Sequence, residues 1–328
     1  MASIKYNNIY LSDYLTLSGP LESNSKLKKL DLKMTDYYFG EKTFEQAEAK
    51  MQRVVMQKIF EKNHLTSKDV DLIIGGDLLD QISATSYAVQ NTSISLLGVY
   101  SACATFPESL IVGSMFLNDR NIKKVVTITS SHNLSAEKQF RYPIEYGSPK
   151  PHTSTFTTTA SVSTILTKET NTPTSKIKIE SATIGKVVEL GIKDANNLGA
   201  VMAPAAAATL YEHLKDLKRD VDYYDLILTG DLGCIGGEIF KEYALRTYNL
   251  KIKHHLDAGC ELYLKSQETY SGGSGPACLP LVLFNKILTS TKYKKILIIG
   301  TGALHSKTFV NQKCPIPSIA HAVSLEVR

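Results

Sequence analysis

The chain repeats one eight-residue phrase, and this repeat constrains its fold more than any other feature. DLIIGGDL runs from Asp71 to Leu78, and DLILTGDL runs from Asp225 to Leu232. The offset of 231 − 77 = 154 residues is nearly half of the 328-residue chain. Two further segment pairs recur in the same order, namely SAC at 101–103 with PAC at 276–278, and KKVVTI at 123–128 with KKILII at 294–299. Three ordered matches predict one duplicated unit, because a solenoid would have a much shorter period.

Short β-rich runs alternate with helical patterns in both halves. In Phe44–Asn63, apolar residues recur every three or four positions while Glu and Lys fill the other face, which is typical of an amphipathic helix. The alternation predicts an α/β fold in which parallel strands are joined by right-handed crossovers. The other expected elements are strands at 70–74, 94–99, 125–129, 225–228, 296–299 and 319–327, edge strands at 155–166 and 177–183, and helices at 84–91, 102–117, 204–217, 239–248 and 277–288.

The chain divides into an arm and two halves. Residues 1–40 are polar and turn-rich, which predicts an irregular N-terminal arm. The first half is expected at 41–185 and the second at 186–328, where Pro204 fits the first turn of a helix. Residues 133–160 are polar, aromatic and rich in Pro, Gly and Thr, and this length predicts a functional excursion from the first half.

Composition favours a globular protein with a slight cationic excess. Hydrophobic residues make up 43% and charged residues 21% of the chain, and the net charge is +5. No run of Lys or Arg resembles a nucleic-acid-binding tract, so nucleic acid is not an expected partner. The charge indicates weak attraction to small anions or anionic lipid, although a merely soluble surface explains it equally well. No apolar run reaches the roughly 20 residues that cross a bilayer, so membrane association is expected to be peripheral.

The cysteines favour a reduced intracellular setting. The five cysteines are odd in number and contain no C-x-x-C pair, which fits neither a disulfide framework nor a zinc site. No metal site is therefore expected. The opening MASIKYNNIY lacks the apolar core of a signal peptide, which agrees with an intracellular location.

Three polar or reactive residues of the first half follow directly after predicted strands. Asp77 follows LIIGG, Cys103 follows LLGVYSA, and His132 follows VVTITSS. Open α/β sheets bind ligands beyond the carboxyl ends of their strands. If these strands are parallel, the three side chains lie on one rim, which is where we expect the site.

Each of these residues also has a structural interpretation. Cys103 lies where a helix should begin, and the N–H groups and dipole there favour a thiolate or a bound anion, although a small buried side chain fits as well. His132 lies between polar neighbours that suit anion binding, but a loop histidine is often just solvated. Asp77 recurs as Asp231, which also fits a repeated structural task such as capping the next helix.

The excursion and a later turn add two anion-binding candidates. Arg141 lies in QFRYP, where its planar guanidinium suits a carboxylate and the neighbouring aromatic residues suit a flat ring. An ordinary surface arginine is the alternative. The glycine-rich turn YSGGSG at 270–275 precedes a predicted helix and suits an anion, or simply a tight connection.

Duplicated halves with a cysteine at the first strand–helix junction resemble the thiolase superfamily. Within it, stage V sporulation protein AD of spore-forming Firmicutes is the more similar family, from about residue 40 to the end. The motifs that carry this resemblance are GDLLDQ at 76–81, SACA at 101–104, SSHNLSAEKQFRYPIEYGSPKP at 130–151, GKVVELGI at 185–192, VMAPAAAATL at 201–210, LILTGDLG at 226–233, GGSGPAC at 272–278 and PIPSIAHAV at 315–323. The resemblance implies a thiolase-like α/β fold of two duplicated βαβαβαββ halves, packed as α/β/α/β/α layers.

The same resemblance implies a role in spore formation. Members of the family bind dipicolinic acid (pyridine-2,6-dicarboxylate), which accumulates with calcium, and help move it into the developing spore. The implied partners are small membrane proteins of the same operon, and the implied location is the spore inner membrane, on its surface. A homodimer is implied by the thiolase-like relatives. By analogy Cys103 and His132 match the pocket residues and Asp77 lies beside them, with no cofactor besides the ligand.

The resemblance also predicts that the catalytic set of the related enzymes is broken. A condensing enzyme needs a second-half histidine, and usually an asparagine or second histidine, to activate the thiol and stabilise the oxyanion. In ketoacyl synthases that histidine follows the strand equivalent to 226–229, where this chain has Gly230-Asp231-Leu232, and no asparagine lies near 272–274. We therefore expect no catalytic residues. His254 and His305 stay open as partners of the thiol, so an acyl-transfer enzyme with Cys103 as nucleophile is one alternative. A scaffold for membrane partners without ligand binding is the other.

Overall fold

Eleven strands form one continuous sheet, and two short strands form a second. The computed structural model describes residues 1–141, 150–169 and 175–328. The strands are β1 Ala2–Ser18, β2 Leu32–Lys33, β3 Leu72–Gly76, β4 Leu96–Gly98, β5 Lys124–Ser131, β6 Phe156–Thr157, β7 Ala160–Lys168, β8 Ile177–Ile184, β9 Leu226–Thr229, β10 His255–Asp257, β11 Gly273–Ser274, β12 Lys295–Ala303 and β13 Ser318–Val327.

Helices connect most of these strands. Thr43 caps the N-terminus of α1, since its side-chain hydroxyl accepts a hydrogen bond from the Gln46 amide. This bond pairs one of the N–H groups that the first turn of a helix leaves without a partner. The helices are α1 Phe44–Lys62, α2 Ser83–Val89, α3 Thr105–Phe116, α4 Asn133–Phe140, α5 Leu198–Leu217, α6 Gly233–Tyr248, α7 Ala258–Leu262, α8 Cys278–Val282 and α9 Lys307–Asn311. A π-helical turn at Leu283–Ile287 continues α8.

The two halves have the same strand order, which confirms the duplication. The first half runs β4-β3-β5-β7-β1 across the sheet, and the second runs β10-β9-β12-β13-β8. In each half, one strand (β7 or β13) is antiparallel to its neighbours, and the three outermost strands are parallel. Antiparallel pairing of β1 with β8 joins the halves into one sheet.

The repeated phrase performs the same task at its start in both halves. Asp71 Oδ2 accepts the backbone N–H groups of Lys123–Lys124 at 2.8 and 2.9 Å. Asp225 Oδ2 accepts those of Lys294–Lys295 at 2.7 and 2.8 Å. Each aspartate thus fixes the beginning of the neighbouring parallel strand, and the same contact recurs in both halves.

Three hydrophobic clusters define five layers. One lies between α1 and α2 and the first-half strands, and another lies between α5 and α6 and the second-half strands. The third includes Phe106 and Leu110 of α3 together with Leu281 of α8, packed between the two sets of strands. This arrangement is the predicted α/β/α/β/α layering. It encloses α8 and all but the C-terminal end of α3, where Met115 and Phe116 are exposed, so both helices are apolar around most of their surface.

The expected irregular arm is wrong for residues 2–18, which form the long strand β1 at the centre of the sheet. Its sequence hides the two-residue alternation of a strand because the register shifts twice, between Lys5 and Ile9 and between Leu11 and Asp13. The second irregularity adds one residue to β1 relative to β7, which moves the following side chains to the other face, whereas the first adds two residues relative to β8.

The strand order also shifts the boundary between the repeats. β8 holds the same place in the second half that β1 holds in the first. Strand β8, Ile177–Ile184, is therefore the first strand of the second repeat, although the sequence placed these residues at the end of the first half, 41–185. The expectation of edge strands at 155–166 and 177–183 is wrong, because β7 and β8 each lie between two other strands. The sequence of one strand does not show whether that strand pairs with a neighbour on one side or on both sides.

The helix expected at 204–217 begins earlier, so the assignment of Pro204 to its first turn is wrong. Asn197 caps α5 by accepting the Ala200 amide at 3.3 Å, and Pro204 lies inside the helix. A side chain on Gly199 would collide with the backbone of α6 at Gly236. Helices α5 and α6 therefore pack closely at their N-terminal ends, next to Leu232, the last residue of the second repeated phrase.

The predicted excursion at 133–160 contains regular structure. Its first eight residues form α4, and its later part includes β6 and the beginning of β7. The aromatic and proline residues of the excursion at 142–149 lie outside the described residues.

The structure contains a disulfide that was not expected. Cys234, near the start of α6, is bonded to Cys260 of α7, with Cα atoms 4.7 Å apart. The 26-residue separation gives no sign of this proximity. It arises because α6 follows β9, α7 follows β10, and these two strands are parallel neighbours, so both helices begin at the same edge of the sheet. In the part of the chain that the structure describes, no helix is long and apolar enough to cross a membrane.

Candidate functional site

Cys103 lies in a tight turn between β4 and α3, as predicted. Ala102 just before it has φ +50°, a left-handed conformation that costs energy for a residue other than glycine. Thr105 stabilises the turn, since its hydroxyl donates to the Ala102 carbonyl at 2.7 Å and accepts the Ser101 amide at 3.1 Å. This strained turn directs the Cys103 side chain toward the second half of the molecule.

A small cavity lies between the two halves beside Cys103. Its volume is about 30 Å³, which holds one or two water molecules. The polar and aromatic residues that line it come from both halves, and the rest of the lining is largely apolar. Those polar and aromatic residues include Tyr100, Cys103, Phe140, Arg141, Ser274 and His305.

Arg141 brings an incompletely paired guanidinium to this cavity. It follows the last residue of α4, and its side chain is only 6% exposed. Nη1 donates to Thr157 Oγ1 at 3.0 Å and lies 4.0 Å from Glu137 Oε1. Nη2 is buried and has no hydrogen-bond partner among the described residues. A buried guanidinium with a donor that the described residues leave unpaired is a favourable position for an anionic ligand group.

His305 faces the same cavity from the second half. It lies in the connection between β12 and α9, and its ring centroid is 6.1 Å from that of Phe140. Its Nδ1 atom is buried without a hydrogen-bond partner in the described part of the chain. Burial lowers the pKa of His305 below 6.5, and the charge of Arg141 lowers it further, so the ring is neutral at pH 7. The sequence left His305 open as a partner of the thiol, and its place after a strand was the signal.

The Cys103 thiol is protonated at neutral pH. Burial raises its pKa well above the ordinary value, the nearby Asp231 raises it further, and the Gly275 backbone and Arg141 act in the opposite direction. The expectation that the helix N-terminus favours a thiolate is therefore wrong, because burial outweighs the dipole. Among the described residues, no imidazole forms a hydrogen bond with the sulfur.

Asp231 lies two residues after β9, within the Gly230-Asp231-Leu232 segment. It is completely buried, has φ +76°, and its two carboxyl oxygens have no hydrogen-bond partner of good geometry among the described residues. Burial raises the pKa of Asp231 well above its usual range, and the charge of Asp257 adds to the effect. Burial thus favours the protonated form of this carboxyl group, which is a poor acceptor for the thiol proton.

Asp77 is a structural cap, which was the alternative to ligand binding. Oδ1 accepts the Leu79 amide at 2.9 Å, while Oδ2 accepts the amide and hydroxyl of Thr85 at 2.8 and 2.7 Å. The residue is buried and outside the cavity lining. Burial raises the pKa of Asp77 despite these bonds. Its carboxylate holds the start of α2 in place, and contact with a ligand remains a prediction.

His132 is also buried away from the cavity lining. One ring nitrogen, Nε2, is 2.8 Å from the Tyr37 carbonyl oxygen, and the ring stacks on Phe44 at 5.6 Å. Burial lowers the pKa of His132. The residue is therefore neither a solvated loop histidine nor a neighbour of Cys103 in the cavity. Of the four predicted ligand residues, the structure brings Cys103 and Arg141 together and places Asp77 and His132 elsewhere.

The glycine-rich turn forms the wall opposite Cys103. Gly275 has φ +110°, and a side chain there would collide with Ser131. β11 of this turn pairs with β6, which carries Thr157, so the same connection supports Arg141. In the described ranges, no cluster of three His, Cys, Asp or Glu side chains is arranged to hold a metal ion.

Solved structures with a similar fold include condensing enzymes. 3-Oxoacyl-(acyl carrier protein) synthase III (FabH) from Xanthomonas oryzae aligns with a TM-score of 0.62 and 13% identity, over 98% of this chain and 100% of its own. Cerulenin-bound OleA from Xanthomonas campestris aligns with a TM-score of 0.62 and 12% identity, over 98% of both chains. At this identity the likeness shows the thiolase-like fold alone, which confirms the predicted fold class.

Sequence comparison identifies a narrower group. The family model described as stage V sporulation protein AD (SpoVAD) matches residues 3–326. Stage V sporulation protein AD of Bacillus subtilis (strain 168) is 40% identical over 323 residues, which covers 97% of this chain and 94% of the relative. The chain therefore belongs to the stage V sporulation protein AD (SpoVAD) family, as its motifs predicted.

Proposed function

We propose that this protein binds dipicolinic acid without catalysis and serves its uptake, alone or with calcium, into the developing spore. The observation that carries the proposal is the buried Nη2 of Arg141, which lines the cavity and has no hydrogen-bond partner among the described residues. An arginine in this position gains most from an anion that fills its unused donors. Because the chain belongs to a family of sporulation proteins, dipicolinate is the anion that we propose to test.

The cavity chemistry suits a flat aromatic dicarboxylate. Dipicolinate is a dianion near neutral pH, and Arg141 supplies a planar pair of donors for one carboxylate. Phe140 and Tyr100 offer aromatic surface for the pyridine ring. The Cys103 thiol contributes no negative charge, because burial raises its pKa. A protonated thiol therefore permits the approach of an anion that a thiolate would repel.

The cavity must open to admit this ligand. Pockets that hold small organic molecules measure about 300–1,000 Å³, whereas this cavity measures about 30 Å³. Phe140, the last residue of α4, and Arg141, which follows it, line the cavity, so their outward displacement would enlarge it. Binding of dipicolinate is thus coupled to a movement at the end of α4.

The absence of catalysis is part of the proposal. Asp231 replaces the expected histidine, and the thiol has no hydrogen-bonded base among the described residues. One observation favours the alternative of an acyl-transfer enzyme, namely that His305 lines the same cavity as Cys103. Incubation with acyl-CoA donors followed by intact-mass measurement separates the two functions, because an adduct on Cys103 would support the enzyme.

The proposed setting is the surface of the spore inner membrane. There the protein would work as a homodimer with small membrane proteins of its operon, and the net charge of +5 suits a surface of anionic lipid. A scaffold that organises these partners without binding a ligand is the remaining alternative. Spore filling that survives loss of the cavity arginine would favour the scaffold.

Isothermal titration with dipicolinate tests the binding proposal. We expect saturable binding to the wild-type protein and a loss of about a hundredfold in Arg141→Gln, because a charge-assisted pair in a desolvated site is removed. Lys138→Gln is the matched control, since Lys138 lies on the same helix but is 57% exposed and paired with Glu45. No saturable binding to the wild type, or equal affinity in Arg141→Gln, would contradict the proposal.

A further inference from the structure

Two polar atoms from opposite halves face the cavity with unused hydrogen-bonding capacity. Arg141 of the first half and His305 of the second half both line the cavity. Arg141 Nη2 and His305 Nδ1 are buried and have no hydrogen-bond partner of good geometry among the described residues. Unsatisfied buried polar atoms are costly, so two of them around one cavity indicate a ligand that satisfies both. Arg141 alone accounts for a single carboxylate.

We propose that His305 binds the second carboxylate of a ligand whose first carboxylate is held by Arg141, and that the cavity selects dicarboxylates over monocarboxylates by taking up a proton on binding. This inference rests on the proposed binding of dipicolinate and adds the residue that distinguishes it from simpler pyridine acids.

The other titratable groups that line the cavity stay uncharged at neutral pH. Burial raises the pKa of Tyr100 to about 12 and raises that of Cys103 still further above its ordinary range. Arg141 is the permanent charge in this lining, and it faces His305. A dianionic ligand therefore meets one positive charge in the free protein and has one negative charge left over.

The groups behind the lining do not change this balance. Glu137 faces Arg141 and also lies 3.0 Å from the Lys150 ammonium, so its charge is shared with a second cation. Asp231 beyond Cys103 holds a proton, because burial raises its pKa. Lys307, two residues after His305, is exposed to water. His305 is thus the group beside the ligand whose charge can change near pH 7.

The direction of proton exchange follows from the two states of His305. In the free protein, burial and Arg141 keep its pKa below 6.5, so the imidazole is neutral at pH 7. A bound dicarboxylate neutralises Arg141 and places a negative charge beside the imidazole, and both effects raise the pKa of His305. The reaction is protein plus dianion plus one proton from the buffer, giving a complex that contains imidazolium. Affinity should therefore rise as the pH falls from 8 toward 6.5.

Titration calorimetry with two ligands tests this inference. Dipicolinate and picolinate (pyridine-2-carboxylate) are titrated at pH 7 in phosphate buffer and in Tris buffer. The two buffers differ in ionisation enthalpy, so the difference between the measured binding enthalpies gives the number of protons taken up. For the wild type we expect at least tenfold preference for dipicolinate and uptake of between about 0.5 and 1 proton per dipicolinate. In His305→Gln, dipicolinate affinity should fall about tenfold or more, picolinate affinity should stay within about twofold, and the proton uptake should disappear.

His254→Gln is the matched control, because His254 is exposed on a separate groove of the second half. This variant should behave like the wild type with both ligands. Equal loss of dipicolinate and picolinate affinity in His305→Gln would indicate damage to the cavity and overturn the inference. Normal dipicolinate binding with unchanged selectivity and proton uptake in His305→Gln would overturn it while leaving the proposed function intact. A wild-type protein that binds neither ligand would overturn both.

Discussion

Asp77 and Asp231 follow equivalent strands of the two repeats, but only Asp77 has hydrogen-bond partners for its carboxyl oxygens among the described residues. In the second half, Asp257 at the end of β10 provides the cap instead, and it accepts the amides of Leu232 and Gly233 at 3.2 and 2.9 Å. This transfer of the capping task leaves Asp231 beside Cys103 as a buried acid with no structural task of its own.

The two aspartates should therefore respond differently to the same substitution. Asp77→Asn should lower the free energy of unfolding by about 2 kcal/mol, because the amide cannot accept all three hydrogen bonds that the carboxyl oxygens accept. Asp231→Asn should change it by less than about 0.5 kcal/mol, since the Asp231 carboxyl oxygens make no hydrogen bond of good geometry among the described residues. Urea unfolding at pH 7 measures both values. Equal destabilisation by the two substitutions would contradict the different roles.

The buried Glu48 should make the fold less stable as the pH rises from about 4.5 to about 8. Burial raises the pKa of Glu48 from 4.5 to about 8, with a further contribution from Asp77, and the hydrogen bonds from Ser130 and Ser135 do not compensate. The unfolded chain loses this proton near pH 4.5, whereas the folded chain keeps it until about pH 8, so unfolding becomes more favourable across that interval.

Glu48→Gln should reduce this pH dependence. Buried histidines such as His213 and His321, whose pKa values fall to about 3 and 4, weaken the fold only below their unfolded value of 6.5, so the measurement belongs between pH 6.5 and 8. There the slope of the unfolding free energy should fall by about 1 kcal/mol per pH unit in Glu48→Gln. Glu61→Gln, an exposed change on the same helix, should keep the wild-type slope. A slope that is unaltered in Glu48→Gln would show that Glu48 is ionised in the folded protein.

The Cys103 thiol should react slowly with iodoacetamide. Only the thiolate reacts, and burial together with Asp231 raises the thiol pKa, so alkylation at pH 8 should be at least about a hundredfold slower than for free cysteine. Cys314, a second free thiol of similar exposure that lies outside the cavity lining, is the internal comparison in the same peptide mass analysis. Asp231→Asn should accelerate the modification of Cys103. Rapid alkylation of wild-type Cys103 would revive the acyl-transfer alternative.

The disulfide should contribute to stability. Cys234 and Cys260 close a loop across 26 residues, and replacing both by serine should lower the free energy of unfolding by about 3 kcal/mol, mainly because the unfolded chain gains freedom. Cys314→Ser, which removes a free thiol, should have little effect. The same unfolding curve for oxidised protein and for the double-serine variant would contradict this contribution.

A smaller side chain at position 140 should speed ligand entry. Phe140 lines the cavity and packs with Leu304 against a small cluster formed by Leu78, Ala102 and Ala136. Phe140→Leu should increase the association rate of dipicolinate and cost about 1 kcal/mol of stability. Stopped-flow mixing with dipicolinate measures the rate. An unchanged or slower rate would show that the cavity opens by another movement.

The sequence predicted the parts of the fold that depend on local pattern and on repetition. The repeated phrase and the Lys-Lys strands identified the duplication, and α1 was predicted to within one residue at its end. β1 was missed because its irregularities hide the alternation, and β8 was assigned to the wrong half because its partners lie far away in the chain. Pairing between distant strands leaves no periodic signal in either segment.

By itself, the sequence determined the family, the duplicated α/β architecture and the position of Cys103 at a strand–helix junction. These features follow from motifs, hydrophobic periodicity and turn chemistry, which are local properties. The tertiary structure alone decided which polar groups have partners. Asp77 found hydrogen-bond partners, and His132 was buried away from the cavity. Among the described residues, Asp231, Arg141 and His305 were left incompletely paired near Cys103. Those outcomes depend on which side chains meet across the two halves, and burial then sets their charge.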